Sequence, residues 1–163
     1  MTTQPPMLSQ SLSHRTIALP ETRELDVLSG LLARRGAQIW RCPMVSIEDH
    51  PDQASVQAWL ERFYAGNFDW LIVLTGEGLQ RLFAAAERAG ESERFITALR
   101  TVKIAARGPK PAKVLRTWGI KPDISPEIAT SAGIIAALSA ANWYASSVSL
   151  QLYGEVENPA LYD

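Results

Sequence analysis

Asp69-Trp-Leu-Ile-Val-Leu-Thr-Gly-Glu-Gly78, running straight into Leu79-Gln-Arg-Leu-Phe-Ala-Ala-Ala-Glu-Arg88, decides the fold. Five consecutive apolar residues, Trp70 to Leu74, predict a strand buried on both faces. The small polar turn after them opens a helix whose apolar stripe is Leu79, Leu82, Phe83 and Ala86. The same strand-turn-helix grammar recurs at Val102-Lys-Ile-Ala-Ala106, Arg107-Gly-Pro-Lys-Pro-Ala112 and a short helix to Trp118. In parallel sheets, ligands bind beyond the carboxyl ends of the strands, where helix starts offer unpaired N–H groups. Both turns are therefore the first places to seek a site.

Working outward, Thr16-Ile-Ala-Leu19 predicts a strand, Thr22 an N-cap, and Leu25, Leu28, Leu31 and Leu32 the buried stripe of a helix. Arg34 and Arg35 fall in its last turn and Gly36 ends it. A strand over Ile39–Ile47 follows, with Pro43 marking an edge or a break. These pieces make one β-α-β unit. Glu48-Asp-His-Pro-Asp52 reads as a linker, after which Val56, Trp59, Leu60 and Phe63 recur at helical spacing and Gly66 stops the helix. Beyond Gly90 a shorter helix turns Phe95, Ile96 and Leu99 inward. Lys121–Ile124 is extended, Thr130 or Ser131 caps a helix carrying Ile134, Ile135 and Leu138, and Val148–Tyr153 alternates like a strand. Gly154-Glu155 is a turn, and Asn158-Pro159 begins a helix that the chain does not complete.

Strands alternating with helices across short loops predict an α/β fold with a flavodoxin-like, doubly wound parallel sheet, as one complete and one partial lobe. The expected division is a flexible N-terminus over 1–14, the first β-α-β unit over 15–48, a linker over 49–53, and a second lobe over 54–163 that looks truncated at its C-terminal end.

With 163 residues, 47% hydrophobic and 20% charged, the composition is that of an ordinary globular domain. Sixteen basic residues against 17 acidic give a net charge of -1, no sign of a nucleic-acid or acidic-membrane surface. Cys42 is the sole cysteine, which excludes an internal disulfide and a cysteine-cluster metal site. The two histidines, His14 and His50, are far apart and read as solvated loop residues, so no metal is expected. The Ser-, Thr-, Gln- and Pro-rich start is no signal peptide and no run is long enough to span a bilayer, so a cytoplasmic location is expected.

The Gly76-Glu77-Gly78 turn is no dinucleotide fingerprint, because Arg81 stands where the third glycine belongs. Phosphate-loop and nucleophile-elbow motifs are absent, and the ends Leu19-Pro20 and Leu74-Thr75 lack the acidic residues that a magnesium-holding receiver domain needs. Glu77 reads as a solvated turn carboxylate. What remains is a site working by backbone donors and shape.

Arg15-Thr-Ile-Ala-Leu-Pro-Glu-Thr-Arg23, Leu31-Leu-Ala-Arg-Arg-Gly-Ala37, Cys42-Pro43, Asp69–Gly78, Lys103-Ile-Ala-Ala-Arg-Gly-Pro-Lys-Pro-Ala112, Gly119-Ile-Lys-Pro-Asp123, Leu150-Gln-Leu-Tyr-Gly-Glu155 and Asn158-Pro159 stand in an order that resembles the uroporphyrinogen-III synthase family of tetrapyrrole (heme) biosynthesis. The resemblance implies two α/β lobes, with this chain holding the first β-α-β unit and most of the second lobe. It implies a lyase that closes the linear tetrapyrrole hydroxymethylbilane to uroporphyrinogen III, losing water and inverting ring D, without a cofactor. It further implies a monomer and a substrate whose carboxylates meet helix starts at Thr75, Gly76, Glu77 and Gly78, at Gly108, Pro109 and Lys110, and at Thr130 and Ser131, with Arg23 as a carboxylate clamp. Family members often have Thr-Ser before Asn-Gly where this chain has Thr75–Gly78, and Gly-x-x-Thr-Ala where it has Gly108–Ala112. The family tyrosine falls beyond Asp163, and no residue here is assigned to assist loss of the hydroxyl. Weak or no activity is expected of the chain alone. Two other readings stay open: a non-catalytic flavodoxin-like module binding a polycarboxylate or other anionic ligand, and a domain-swapped dimer formed through the β-α-β unit.

Overall fold

A computed structural model describes residues 10–141, 143 and 145–152. The expected turn at Gly154-Glu155, the helix start at Asn158-Pro159 and Tyr153, the last residue of the expected final strand, lie outside these residues. The chain divides into two compact units, Met1–Asp49 and His50–Asp163.

In the first unit, β1 (Thr16–Leu19) and β2 (Gln38–Arg41) pair in parallel across α1 (Leu25–Ala33), the expected β-α-β arrangement. Residues 10–14 form a turn tied to the helix end by the Leu12 N–H, which donates to Arg35 O at 3.0 Å. Several local expectations are corrected. Thr22 is no cap: α1 is preceded by Glu24 without a side-chain cap, and the Thr22 hydroxyl donates instead to Val45 O. Arg34 is the C-cap and Arg35 lies past it, while Gly36, at φ 90°, makes the left-handed exit that a Cβ would strain. β2 stops at Arg41, before Pro43 can interrupt its ladder. No residue of α1 is buried, although a leucine stripe was expected to be, because a two-stranded sheet is too narrow to cover a helix face.

The second unit carries α2 (Gln53–Tyr64), β3 (Trp70–Val73), α3 (Gly76–Arg88), α4 (Ser92–Leu99), β4 (Lys103–Ala106), α5 (Pro109–Thr117), α6 (Ser131–Leu138) and β5 (Val148–Gln151). Its sheet is parallel throughout, in the order β4-β3-β5, and Ile124 adds a bridge to Ala105 on the outer side of β4. All of β3 is buried, and alternation divides it between two cores. Leu71 and Val73, with Ile104 and Ala106, meet Leu60, Phe63, Leu79, Phe95, Leu99 and Leu115 of α2–α5. Trp70, Ile72 and Leu74, with Ala105, meet Ile134 of α6 and Trp143. A central strand covered on both faces needs apolar residues at every position, which is what Trp70–Leu74 supplies. The doubly wound reading is therefore correct for this unit.

Caps and stops follow the sequence. Asp52, placed in the expected linker, is the N-cap of α2 and accepts from Ser55 N at 3.0 Å. Hydrogen bonding to the Ser55 side chain and backbone holds the Asp52 carboxyl below its usual range. Gly66, Gly90 and Gly119 all take positive φ just past their helices.

Candidate functional site

The order of strands reverses at β3. The chain moves from β3 outward to β4 and Ile124, then crosses back to place β5 on the other side of β3. That reversal, at the carboxyl ends of β3 and β5, is the switch point where open parallel sheets bind ligands.

Thr75, separated from β3 by Leu74 alone, caps α3, its Oγ1 accepting from Gly78 N at 3.0 Å. Gly76 is buried, and a Cβ there would stand 3.0 Å from Lys110 O, so the start of α3 and the start of α5 pack backbone against backbone. Gly108 precedes α5 in a fully extended conformation open to any residue; its smallness matters because a Cβ would stand 2.6 Å from Ala129 Cβ. Ala129 leads into Thr130, which caps α6 by accepting from Gly133 N at 3.0 Å. Through these contacts the second unit brings together Thr75–Gly78, Gly108–Lys110 and Thr130–Ser131, the segments expected to form the site. Arg23 belongs to the first unit. It lies ahead of α1 rather than in its first turn, its N–H donates to Glu21 at 3.1 Å, and it lines a depression of about 280 Å3 in which Asp26 and Arg41 form an ion pair.

Gln151, at the carboxyl end of β5, was missed by the sequence reading. Its Oε1 accepts from Leu74 N at 3.2 Å and from Thr75 N at 3.1 Å, filling the switch point with a neutral side-chain carbonyl. Only 8% exposed, the side chain also donates through Nε2 to Leu152 O. A signal existed: in Val148-Ser-Leu-Gln151 the polar residues occupy the buried alternate positions. Ser149 is likewise engaged, its Oγ accepting from Trp59 Nε1 at 2.9 Å.

This side chain changes the supply of donors. At α3, Thr75 N–H goes to Gln151 and Gly78 N–H to Thr75, leaving Gly76 and Glu77 N–H without a partner among the described residues. At α5, Pro109 and Pro111 carry no N–H, so Gly108 and Lys110 are the donors there. At α6, Thr130 N–H goes to Ile128 O and Gly133 N–H to Thr130, and Ala132 remains. The Glu77 carboxylate accepts from Arg81 Nε at 2.9 Å, one turn along α3, so the negative charge at this start is held beside a cation. A helix start still favours an anion through its dipole. The arrangement offers sparse backbone donors at three helix starts.

Among the described residues, no group of His, Cys, Asp and Glu is placed to hold a metal ion. Cys42 is a free, half-buried thiol.

Comparison with known proteins agrees with this architecture. The family described as uroporphyrinogen-III synthase HemD matches residues 26–163. A Bacillus subtilis (strain 168) protein, YjjA, described as uncharacterized, is 30% identical over 154 residues, which are 94% of this chain and 56% of that protein. The chain thus spans a little over half the length of this relative. A mutant uroporphyrinogen III synthase from the extremely thermophilic bacterium Thermus thermophilus has a similar fold, with TM-score 0.63 and 23% identity over 91% of this chain and 55% of that one. The wild-type Thermus protein in another crystal form gives TM-score 0.54 at 23% identity, over 91% and 56%. The chain belongs to the uroporphyrinogen-III synthase family.

Proposed function

We propose that the chain is a uroporphyrinogen-III synthase-type protein whose second unit binds the carboxylates of a linear tetrapyrrole. The reaction would be that of the family, closure of hydroxymethylbilane to uroporphyrinogen III with loss of water and inversion of ring D. The observation carrying this reading is the convergence of the α3, α5 and α6 starts on one edge of the sheet at its switch point. Fixed N–H groups there meet anions without reorganising, which is how such a site stabilises charge. We infer a soluble small-molecule substrate, no cofactor, no nucleic-acid or membrane partner, a monomeric protein and a cytoplasmic setting; no helix among the described residues is long and apolar enough to cross a membrane. In this reading the first unit is part of a second lobe, and Arg23 clamps a carboxylate.

A second reading, a binding module without turnover, is favoured by one specific feature. Gln151, Pro109 and Pro111 together remove donors from the helix starts, and the titratable side chains at those starts are Glu77, already paired with Arg81, and Lys110. Neither is an obvious acid for a departing hydroxyl. Incubating the protein anaerobically with hydroxymethylbilane and resolving the oxidised isomers separates the readings. Isomer III above the spontaneous background supports the synthase. Isomer I alone, with retained tetrapyrrole binding, supports the module. No isomer III and no binding overturn both.

A further inference from the structure

Between Glu93 and Asp123 the chain carries eight of its 16 basic residues and none of its 17 acidic ones. An overall charge of -1 conceals this, because the remainder is strongly acidic. Some of these cations have local duties. Arg94 pairs with Glu61 at 3.3 Å and Glu91 at 2.8 Å, Arg100 donates to Trp118 O, and Lys103 lies 5.3 Å from the Trp70 ring centre. Lys110, Lys113 and Arg116 are different: they recur every third residue along the exposed face of α5, and none forms an ion pair among the described residues. Lys121, also exposed and without an ion pair among them, extends the row.

The row begins at the candidate site, since Lys110 sits in the first turn of α5 where its carbonyl packs on Gly76. It ends at a groove of about 360 Å3 between α5 and the following extended segment, lined by Ala112, Arg116, Lys121, Pro122, Asp123 and Ser125. That volume is in the range of small-ligand pockets. Asp123 brings one negative charge to the groove, but its Oδ2 is engaged, accepting from Ile104 N at 2.7 Å.

We propose that the Lys110–Lys113–Arg116 face of α5, continued by Lys121 into this groove, is a cationic binding surface for the outlying carboxylates of a polycarboxylate ligand whose core sits at the three helix starts. The proposal deepens the tetrapyrrole reading and rests on it for the identity of the ligand. Charge on α5 here replaces the backbone donors that Pro109 and Pro111 remove. A small, multiply charged acid fits better than a nucleic acid, because the acidic remainder of the chain would repel a long polyanion.

The test compares the wild-type protein with the double variant Lys113→Glu, Arg116→Glu, whose side chains are outside the helix-start turns. Titrations use uroporphyrin, benzenehexacarboxylate and a short DNA duplex at two salt concentrations, with circular dichroism and melting as fold controls. The expected result is a salt-dependent loss of about tenfold in affinity for both acids in the folded double variant. Unchanged affinity for both acids overturns the cationic surface while leaving the helix-start site standing. Tighter salt-dependent binding of DNA than of either acid overturns it in favour of a nucleic-acid face. Benzenehexacarboxylate binding that depends on Lys113 and Arg116, without uroporphyrin binding, supports the surface and removes the tetrapyrrole reading; binding of neither acid removes both. If the double variant fails to fold, Lys113→Gln alone, expected to lose about threefold, decides the matter by the same criteria.

Discussion

Gln151 Oε1 sits 3.1 Å from Thr75 N and 3.2 Å from Leu74 N, joining the carboxyl end of one strand to the turn that follows its neighbour. The two N–H groups are buried or half-buried, and without the amide they would have no partner in the described chain. Gln151→Leu keeps the bulk and removes the acceptor. The expected cost is about 1–3 kcal/mol in chemical denaturation, that of leaving buried donors unsatisfied. A change below about 0.5 kcal/mol would mean the bonds contribute nothing net.

Gly78 and Gln151 should be energetically coupled. A Cβ at Gly78 would collide with the side-chain amide of Gln151, so the absence of a side chain at Gly78 admits that amide. Gly78→Ala is expected to destabilise the wild-type protein by displacing Gln151. In a Gln151→Ala background the same change should stabilise, by up to about 1 kcal/mol, because alanine is then simply the better helix former. A double-mutant cycle reads this sign reversal directly, and additive effects would refute the coupling.

Glu77 places a carboxylate where an anionic ligand would approach α3, held by Arg81 at 2.9 Å. Glu77→Gln removes one repulsive charge. Affinity for uroporphyrin is expected to rise about threefold at low salt, with the gain shrinking as salt screens it. Weaker binding would mean that the carboxylate, through Arg81, organises the site.

Much of this was legible in advance. Trp70–Leu74 read as a strand buried on both faces, because a half-exposed strand alternates apolar with polar residues, and the structure buries all of β3. The helix stops at Gly66, Gly90 and Gly119 were equally plain. Illegible were features set by neighbours distant in sequence. α1 carries a leucine-rich stripe that reads as buried, yet only α3, packed on the wider sheet, buries residues of its stripe, Leu79 and Ala86. Trp40, 72% exposed on β2, shows the same shortage of cover. The helix starts were found because capping is local, whereas Gln151, 76 residues from Thr75, could be suspected only from polar residues at alternate positions of β5. Overall charge balance also hid the cationic run on α5.

Tyr64 makes stability depend on alkaline pH. Burial, reinforced by the Glu91 and Glu61 carboxylates, pushes its phenol from 10.0 up to about 12, against the opposing pull of Arg94 over its ring. The unfolded chain therefore releases this proton first. The corresponding stability is intact below pH 10 and is lost as pH rises through about 12. Tyr64→Phe should flatten the decline in stability across that window, as seen by comparing denaturation midpoints of the two proteins. An identical decline in both would contradict the assignment.

The central claim is that carboxylates are what the helix starts recognise, and one calorimetric comparison tests it most directly. Under matched conditions, titrate the full chain with uroporphyrin and with its fully esterified, uncharged counterpart in dilute detergent. The account predicts salt-sensitive binding of the acid, weakened in Thr75→Val, and no binding of the ester. Equal binding of acid and ester, or no binding of the acid, would contradict it.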